Sequence, residues 1–283
     1  MSCALSVRHG SFGRAAVYQL DRTIITHAHR EGHLIFYLDG QESSVEFEDK
    51  GCALNDSFSV AVSPWEPHSF QIPPNSTSCL CLVLYIKPIW FLENSPSAEF
   101  ALQFGCNEVR LTPQLHELVM RLTSLLLDNE HVDQFDLILF ELIRRCFEQT
   151  WLRMPKAGLL DRARLRFSDF RVRRSLRIMH ESISVESDVE SLARQVGLSR
   201  PHFFKLFKMQ MGVTPNIYLN TLRSEHAIHD LLKTEKSVTD IAEELGFSSQ
   251  ASFTRFFSSN VGIAPSEYRR VARVDAESFP MVS

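Results

Sequence analysis

The sequence predicts an α+β protein: a β-rich N-terminal barrel, two helices following it, and an all-helical C-terminal domain. Three observations carry this. Short apolar segments broken by turn signals fill roughly the first 90 residues, and many short strands at close spacing mark a sandwich or barrel. After Pro113, leucines recur at helical intervals. From Phe170 onward a helical pattern repeats itself at an offset of 49 to 50 residues. A chain of 283 residues has room for two such domains and for sizeable cores in both.

The expected strands are 23–26, 34–38, 44–47, 58–62 and 80–86, each rich in Val, Ile, Phe or Leu. Asp39-Gly40, Asp49-Lys50-Gly51, Asn55-Asp56 and the prolines at 64, 67, 73 and 74 supply the turns between them. Helices follow at 113–127, with Leu115, Leu118, Val119, Leu122, Leu125 and Leu126 in a stripe, and at 135–151, with Leu139, Leu142, Ile143, Cys146 and Phe147 on one face. Arg-rich residues 154–169, containing Pro155 and Gly158, read as a linker. The division is therefore 1–153, linker 154–169, helical domain 170–273 and tail 274–283.

Composition narrows the function. The longest apolar run, 79–86, is far below the roughly 20 residues of a membrane span. No secretory leader opens the chain, and its six cysteines form no CxxC pair, so a cytoplasmic protein with reduced thiols and no membrane partner is expected. The net charge of −4 hides an asymmetry: residues 170–273 carry +4 and the remainder −8. A basic end on an acidic body suggests contact with a polyanion.

The repeat sharpens that suggestion. Val189-x-x-Leu192-Ala193-x-x-x-Gly197-Leu198-Ser199 lies over Val238-x-x-Ile241-Ala242-x-x-x-Gly246-Phe247-Ser248. One residue later, Phe203, Lys205, Phe207, Gly212, Pro215 and Tyr218 lie over Phe253, Arg255, Phe257, Gly262, Pro265 and Tyr268. Each copy reads as a short helix, a glycine-containing turn and a second helix, the helix-turn-helix unit. Gly197 supplies the positive φ of the turn. Ser199 caps the next helix, and Pro201 occupies its first turn, where a missing N–H is harmless. Phe203, Leu206 and Phe207 face the core, leaving Ser199, Arg200, Pro201, His202, Phe204, Lys205 and Lys208 as DNA-contact candidates. In the second copy Phe253, Phe256 and Phe257 are buried, and Ser249, Gln250, Ala251, Ser252, Thr254 and Arg255 are the candidates. Arg and Lys pair with guanine, Gln with adenine, and Ala or Phe touches a thymine methyl. A solvated charged face is the alternative for any single cation. Phe204 can equally pack against the other subdomain.

The last hundred residues closely resemble the DNA-binding domain of the AraC/XylS family of bacterial transcription regulators. Gly246-Phe247-Ser248-Ser249-Gln250, Phe253-Thr254-Arg255 and Gly262-Ile263-Ala264-Pro265-Ser266-Glu267-Tyr268-Arg269 match that family's second helix-turn-helix signature. The resemblance implies two units joined by a long helix near 215–232, presenting recognition helices to successive turns of double-stranded promoter DNA. It also implies a ligand-responsive regulator, an activator by expectation, that meets RNA polymerase. The helices at 113–127 and 135–151 are expected to join a homodimer; the alternative is that their leucine stripe lies wholly on the barrel. Ser258-Ser259, Phe204 and Ala264 depart from the family pattern.

In the N-terminal domain, His27-Ala28-His29-Arg30-Glu31-Gly32-His33 and Pro64-Trp65-Glu66-Pro67-His68 resemble the two short motifs of a cupin barrel. His27 and His29 alternate on a strand and so face one side. The expected effector-pocket lining is His27, His29, His33, Phe36, Trp65 and His68, with core packing as the alternative for the two aromatics. Three or four neutral imidazoles can instead bind Zn²⁺, Fe²⁺ or Mn²⁺, or be partly exposed strand residues. Because regulators of this family commonly keep the barrel as an effector pocket without metal, no metal and no cofactor is expected. The rival reading is a metal-dependent cupin enzyme, such as a small-molecule dioxygenase, fused to a DNA-binding module. No GxSxG, P-loop, HExxH or Rossmann fingerprint is present, so the expectation is a regulator and not an enzyme.

Overall fold

The structure, a computed structural model, describes residues 2–74, 76–94, 103–128, 132–152, 169–181 and 189–275. A β-rich N-terminal region precedes a helical C-terminal region, the expected α+β layout. Strands β1 (Cys3–Gly10), β2 (Gly13–Leu20), β3 (Ile24–His27), β4 (Gly32–Gly40), β5 (Ser43–Glu46), β6 (Gly51–Leu54), β7 (Phe58–Val62), β8 (His68–Gln71) and β9 (Cys79–Ile86) form two facing sheets together with β10 (Glu108–Arg110). The larger sheet runs β10-β7-β4-β9-β2-β1-β11 and the smaller β3-β8-β5-β6. Strand β9 pairs along its length with both β2 and β4. One face of it turns to the smaller sheet and the other to helices, so it has no wet side, which is why it reads as an unbroken apolar run.

Helices α1 (Pro88–Asn94), α2 (Pro113–Asp128) and α3 (Val132–Leu152) follow β9, with β10 between α1 and α2. The apolar stripe expected to join two protomers is largely spent within the chain. Leu115, Val119, Leu122 and Leu126 of α2, with Leu139, Leu142, Ile143, Cys146 and Phe147 of α3, are buried in one cluster with Ala15, Val17, Leu34, Phe36, Leu82 and Leu84 of the sheet. Leu118 and Leu125 pack against its edge, and Met120, Leu127 and Leu137 stay exposed.

The C-terminal region contains α4 (Phe170–Glu181), α5 (Val189–Gln195), α6 (Arg200–Met211), α7 (Pro215–Lys233), α8 (Val238–Glu244), α9 (Gln250–Val261) and α10 (Pro265–Val271). It is not wholly helical, as the sequence suggests: Ala272–Val274 forms β11, a parallel edge strand on β1. The expected boundary between helical domain and tail therefore falls inside a strand of the N-terminal sheet. Of the expected linker 154–169, only Asp169 lies within the described residues, and of the tail 274–283 only Val274 and Asp275. The cysteines at 3, 52, 79, 81, 106 and 146 are free thiols.

Candidate nucleic-acid interface and interdomain pocket

The first helix-turn-helix unit is α5 and α6, the second α8 and α9. Their turns hold Gly197 at φ 73° and Gly246 at φ 77°. A Cβ built on Gly197 meets nothing within 4 Å, so backbone conformation alone selects glycine there. Gly212 and Gly262 end α6 and α9 in the left-handed region, each donating its N–H to the carbonyl four residues back.

The two recognition helices start differently. Ser249 caps α9, accepting the N–H of Ser252 at 3.2 Å, whereas the Ser199 side chain makes no cap bond to α6, contrary to expectation. Pro201 occupies the first turn of α6 as expected. Phe203 and Phe207 are buried, as are Phe253 and Phe257, whereas Phe256 is only half-buried against Phe247. Arg200, Pro201, His202, Lys205 and Lys208 stand exposed on α6, and Gln250, Ala251 and Arg255 on α9. Ser199 and Ser249 are exposed just ahead of the helices, while Ser252 and Thr254 are half-buried. Phe204 is half-buried against the first unit's core, with the Arg200 guanidinium 5.8 Å above its ring. Two candidates already have partners: Lys208 Nζ donates to Glu48 Oε1 of the β-rich region at 2.6 Å, and Thr239 Oγ1 donates to Gln250 Oε1 at 2.9 Å.

The histidines converge inside the sandwich. His27 lies opposite His68 across the β3–β8 pair. The His27 and His68 ring centroids are 4.4 Å apart, His27 and His29 4.7 Å, and His33 and His68 4.5 Å. His29 falls two residues past the end of β3 rather than on it. Burial drives all four imidazoles toward the neutral form, His27 to about 4 and the other three well below the usual histidine range.

Two of the expected pocket residues lie elsewhere. Phe36 is fully buried on the far face of β4, among the residues under α2 and α3. Strand alternation explains this, since residue 36 is an odd number of positions from His33 and must face away from it. Trp65, in the left-handed region at φ 62°, stacks on Tyr218 of α7 with centroids 4.6 Å apart. It seals the junction between the two regions, and its N–H donates to His29 O at 2.7 Å.

A cavity of about 180 Å³ lies between the β-rich region and the helical region. His27, His29 and Glu31 of the cupin-like motif line it, joined by residues the sequence reading missed: Arg14 and Lys87 from one side, Ser224, Glu225, His229 and Lys233 from α7, and Asn260 from α9. Thr221 Oγ1 of α7 donates to Ala28 O, between the two histidines, at 2.9 Å. Burial pushes the Glu225 carboxyl up to about 8 despite the Arg30 guanidinium at 3.0 Å. Arg14 packs over the Tyr85 ring at 3.7 Å and donates to Tyr268 Oη at 3.0 Å. Tyr268 Oη in turn lies 2.8 Å from His9 Nε2. Burial holds His9 down at about 3, so its ring is neutral at pH 7. The sequence carried one signal for this: Arg14, a cation inside the apolar strand Gly13-Arg14-Ala15-Ala16-Val17.

Residues 192–271 match the family model described as "Helix-turn-helix domain". The chain is 26% identical over 258 residues to the probable transcriptional regulator LumQ of Photobacterium leiognathi, an alignment covering 89% of this chain and 95% of that one. It is 36% identical over 81 residues to the lactose operon transcription activator of Staphylococcus xylosus, covering 29% of each chain. Among solved structures, ToxT of Vibrio cholerae O395 aligns over 92% of this chain and 98% of its own, with a TM-score of 0.52 and 15% identity, a likeness of fold.

Proposed function

For this DNA-binding transcription regulator, which carries an AraC-type helix-turn-helix domain at its C-terminus, we propose that α6 and α9 read two different blocks of promoter DNA. The observation that carries the reading is the pair of exposed faces at matched repeat positions. Arg200, His202 and Lys205 lie on one, Gln250, Ala251 and Arg255 on the other, each backed by buried phenylalanines. Arginine and lysine at the same slot supply guanine or phosphate contacts, and Gln250 supplies an adenine contact.

We further propose that residues 1–153 form the effector-binding and dimerisation domain and 170–273 the DNA-binding domain. The effector site is then the interdomain cavity, lined by His27, His29, Arg14 and Glu225. A ligand there touches α7, the helix joining the two units, and α9 itself, so its binding energy can favour one arrangement of the units over another. The exposed Met120, Leu127 and Leu137 on the outer sides of α2 and α3 suit a homodimer contact. The chain acts without catalysis, in the cytoplasm, and as an activator through RNA polymerase; the Staphylococcus xylosus relative is named an activator.

The test is fluorescence anisotropy of the full chain with labelled duplexes from upstream regions of its source genome. With six or more phosphate contacts, affinity falls about 10³-fold or more between about 50 and 200 mM salt. Binding that is absent for every duplex, or indifferent to salt, overturns the reading.

A further inference from the structure

The histidine cluster has features that an effector pocket does not require. Ligating nitrogens of His27, His29 and His68 all lie within 4.8 Å of one another. His27 Nδ1 donates to Ile25 O at 2.7 Å and His68 Nδ1 donates to Glu66 O at 2.8 Å. Each bond fixes the tautomer that leaves Nε2 as a bare lone pair. A carbonyl on the remote nitrogen is how proteins orient imidazoles for a metal ion. His29 Nε2 and His68 Nε2 are buried without a hydrogen-bond partner, as are both nitrogens of His33. His33 and His68 are each only 2% exposed. Several unpartnered imidazole nitrogens in one interior carry an uncompensated desolvation cost. A shared ligand removes that cost.

We propose that His27, His29 and His68 hold a divalent late first-row transition-metal ion, with His33 beside them as a fourth nitrogen. Neutral imidazoles suit Zn²⁺, Ni²⁺, Cu²⁺ and Fe²⁺ and discriminate against Mg²⁺ and Ca²⁺, which take oxygen ligands. In a tetrahedral zinc site with bonds of about 2.0–2.1 Å the nitrogens stand about 3.3 Å apart. The three rings therefore close in by at most about 1.5 Å, within reach of side-chain rotation. Arg14, stacked on Tyr85, opposes a second cation, and Glu31 on the cavity wall counters it. His27 and His29 belong to both the cluster and the cavity, so one side of the ion faces the space in which an effector would sit.

The reading stands apart from the DNA-binding assignment and has its own test. The full chain, stripped with a chelator and passed through a desalting column, is titrated with Co²⁺ and, separately, with Zn²⁺ against a chromophoric chelator. Expected are one ion per chain, intense visible bands of four-coordinate Co²⁺, and a melting temperature that rises with Zn²⁺ by mass action. His27→Ala and His68→Ala should each weaken binding at least about tenfold and abolish the Co²⁺ bands. His226→Ala, which breaks the exposed pair with His229 on α7, should change neither. If either histidine variant fails to fold, the Co²⁺ spectrum of the unaltered chain and its loss in His33→Gln and His29→Gln decide. Overturning results are no stoichiometric binding by the stripped chain, binding that survives in His27→Ala and His68→Ala, or binding lost only in His226→Ala.

Discussion

Tyr218 and Tyr268 hold the same position in the two helix-turn-helix units, 50 residues apart, yet they face different surroundings. Tyr218 stacks on Trp65 and bonds His180 at 3.1 Å, in a core built from the first unit and the flanking helices α4 and α7, with Ala28 from the β-rich region. Tyr268 takes Arg14 and His9 of the β-rich region, and Ile241, Ala242, Phe253, Phe257 and Val261 around it share one buried cluster with Tyr18, Leu20, Ile24 and Tyr85. The first unit is tied to the sandwich by fewer contacts: the Trp65 stack, Ala28 packed at the edge of its core, the Thr221–Ala28 bond, and the Arg30–Glu225 and Lys208–Glu48 pairs. The second is continuous with the sandwich core. A repeat in sequence thus specifies each unit's interior and its exposed face but not what its back rests on. A change in the β-rich region reaches α9 through many packed side chains and α6 mainly through polar and ring contacts, with Ala28 the one buried apolar residue of that region in its cluster.

Acid should separate the two units most. His9, His27, His29, His33 and His68 all have depressed pKa values, and all lie in the sandwich or its seam with the second unit. A depressed folded-state value means that the unfolded chain binds more protons. The stability these groups contribute is therefore complete above about pH 6.5 and is lost as pH falls toward 4 and below, at about 1.4 kcal/mol per pH unit for each proton. Urea melts of the metal-free chain should show the midpoint dropping steeply between pH 6.5 and 5. Hydrogen exchange at pH 5 should find β3, β8 and α9 unprotected before α5 and α6. Equal loss of protection in both units contradicts the asymmetry.

Next in size are the matched core phenylalanines. Phe203→Ala and Phe253→Ala each remove a fully buried ring and cost about 3–5 kcal/mol. Exchange should rise only within residues 189–222 for the first, and in the second unit and strand β3 together for the second. The tyrosines come third. Tyr268→Phe leaves the Arg14 guanidinium and the His9 ring without their hydroxyl and costs about 1–3 kcal/mol in thermal unfolding, whereas Tyr218→Phe, with one part-buried bond, costs about 0.5–1.5. A larger loss for Tyr218→Phe reverses the comparison. The smallest effect is Glu48→Gln. The Lys208–Glu48 pair is exposed on both sides and is worth at most about 1 kcal/mol. Freeing Lys208 should raise DNA affinity no more than about fivefold, read by anisotropy at low salt.

The helix-turn-helix units were legible because their signals are local. Gly197, Gly246 and the phenylalanine spacing depend on neighbours within one or two turns, and the long helix expected at 215–232 is Pro215–Lys233. Strands β1 and β2 went unread because Arg14, Ala15 and Ala16 are poor strand formers, held in place by β9 some 70 residues away. Strand β11 depends on pairing with a strand over 260 residues earlier. Only the convergence of His27, His29, His33 and His68 could be read for the pocket. Its other wall belongs to α7 and α9, and no local pattern predicts which distant helix closes a sandwich. Phe36 was misplaced against a rule that was available, the period-two alternation that separates it from His33. Trp65 was misplaced for want of one, because nothing marks in advance a tryptophan that will adopt a positive φ and stack on another region.

The central claim, that one chain reads DNA with two unlike faces, is tested most directly by selecting binding sites from random duplexes with the unaltered chain, Lys205→Ala and Arg255→Ala. The account predicts an asymmetric site with two blocks about 10 bp apart, Lys205→Ala relaxing one and Arg255→Ala the other, each at about 1–3 kcal/mol where the contact is bidentate to guanine. Loss of the same base positions in both variants, or of none in either, contradicts it.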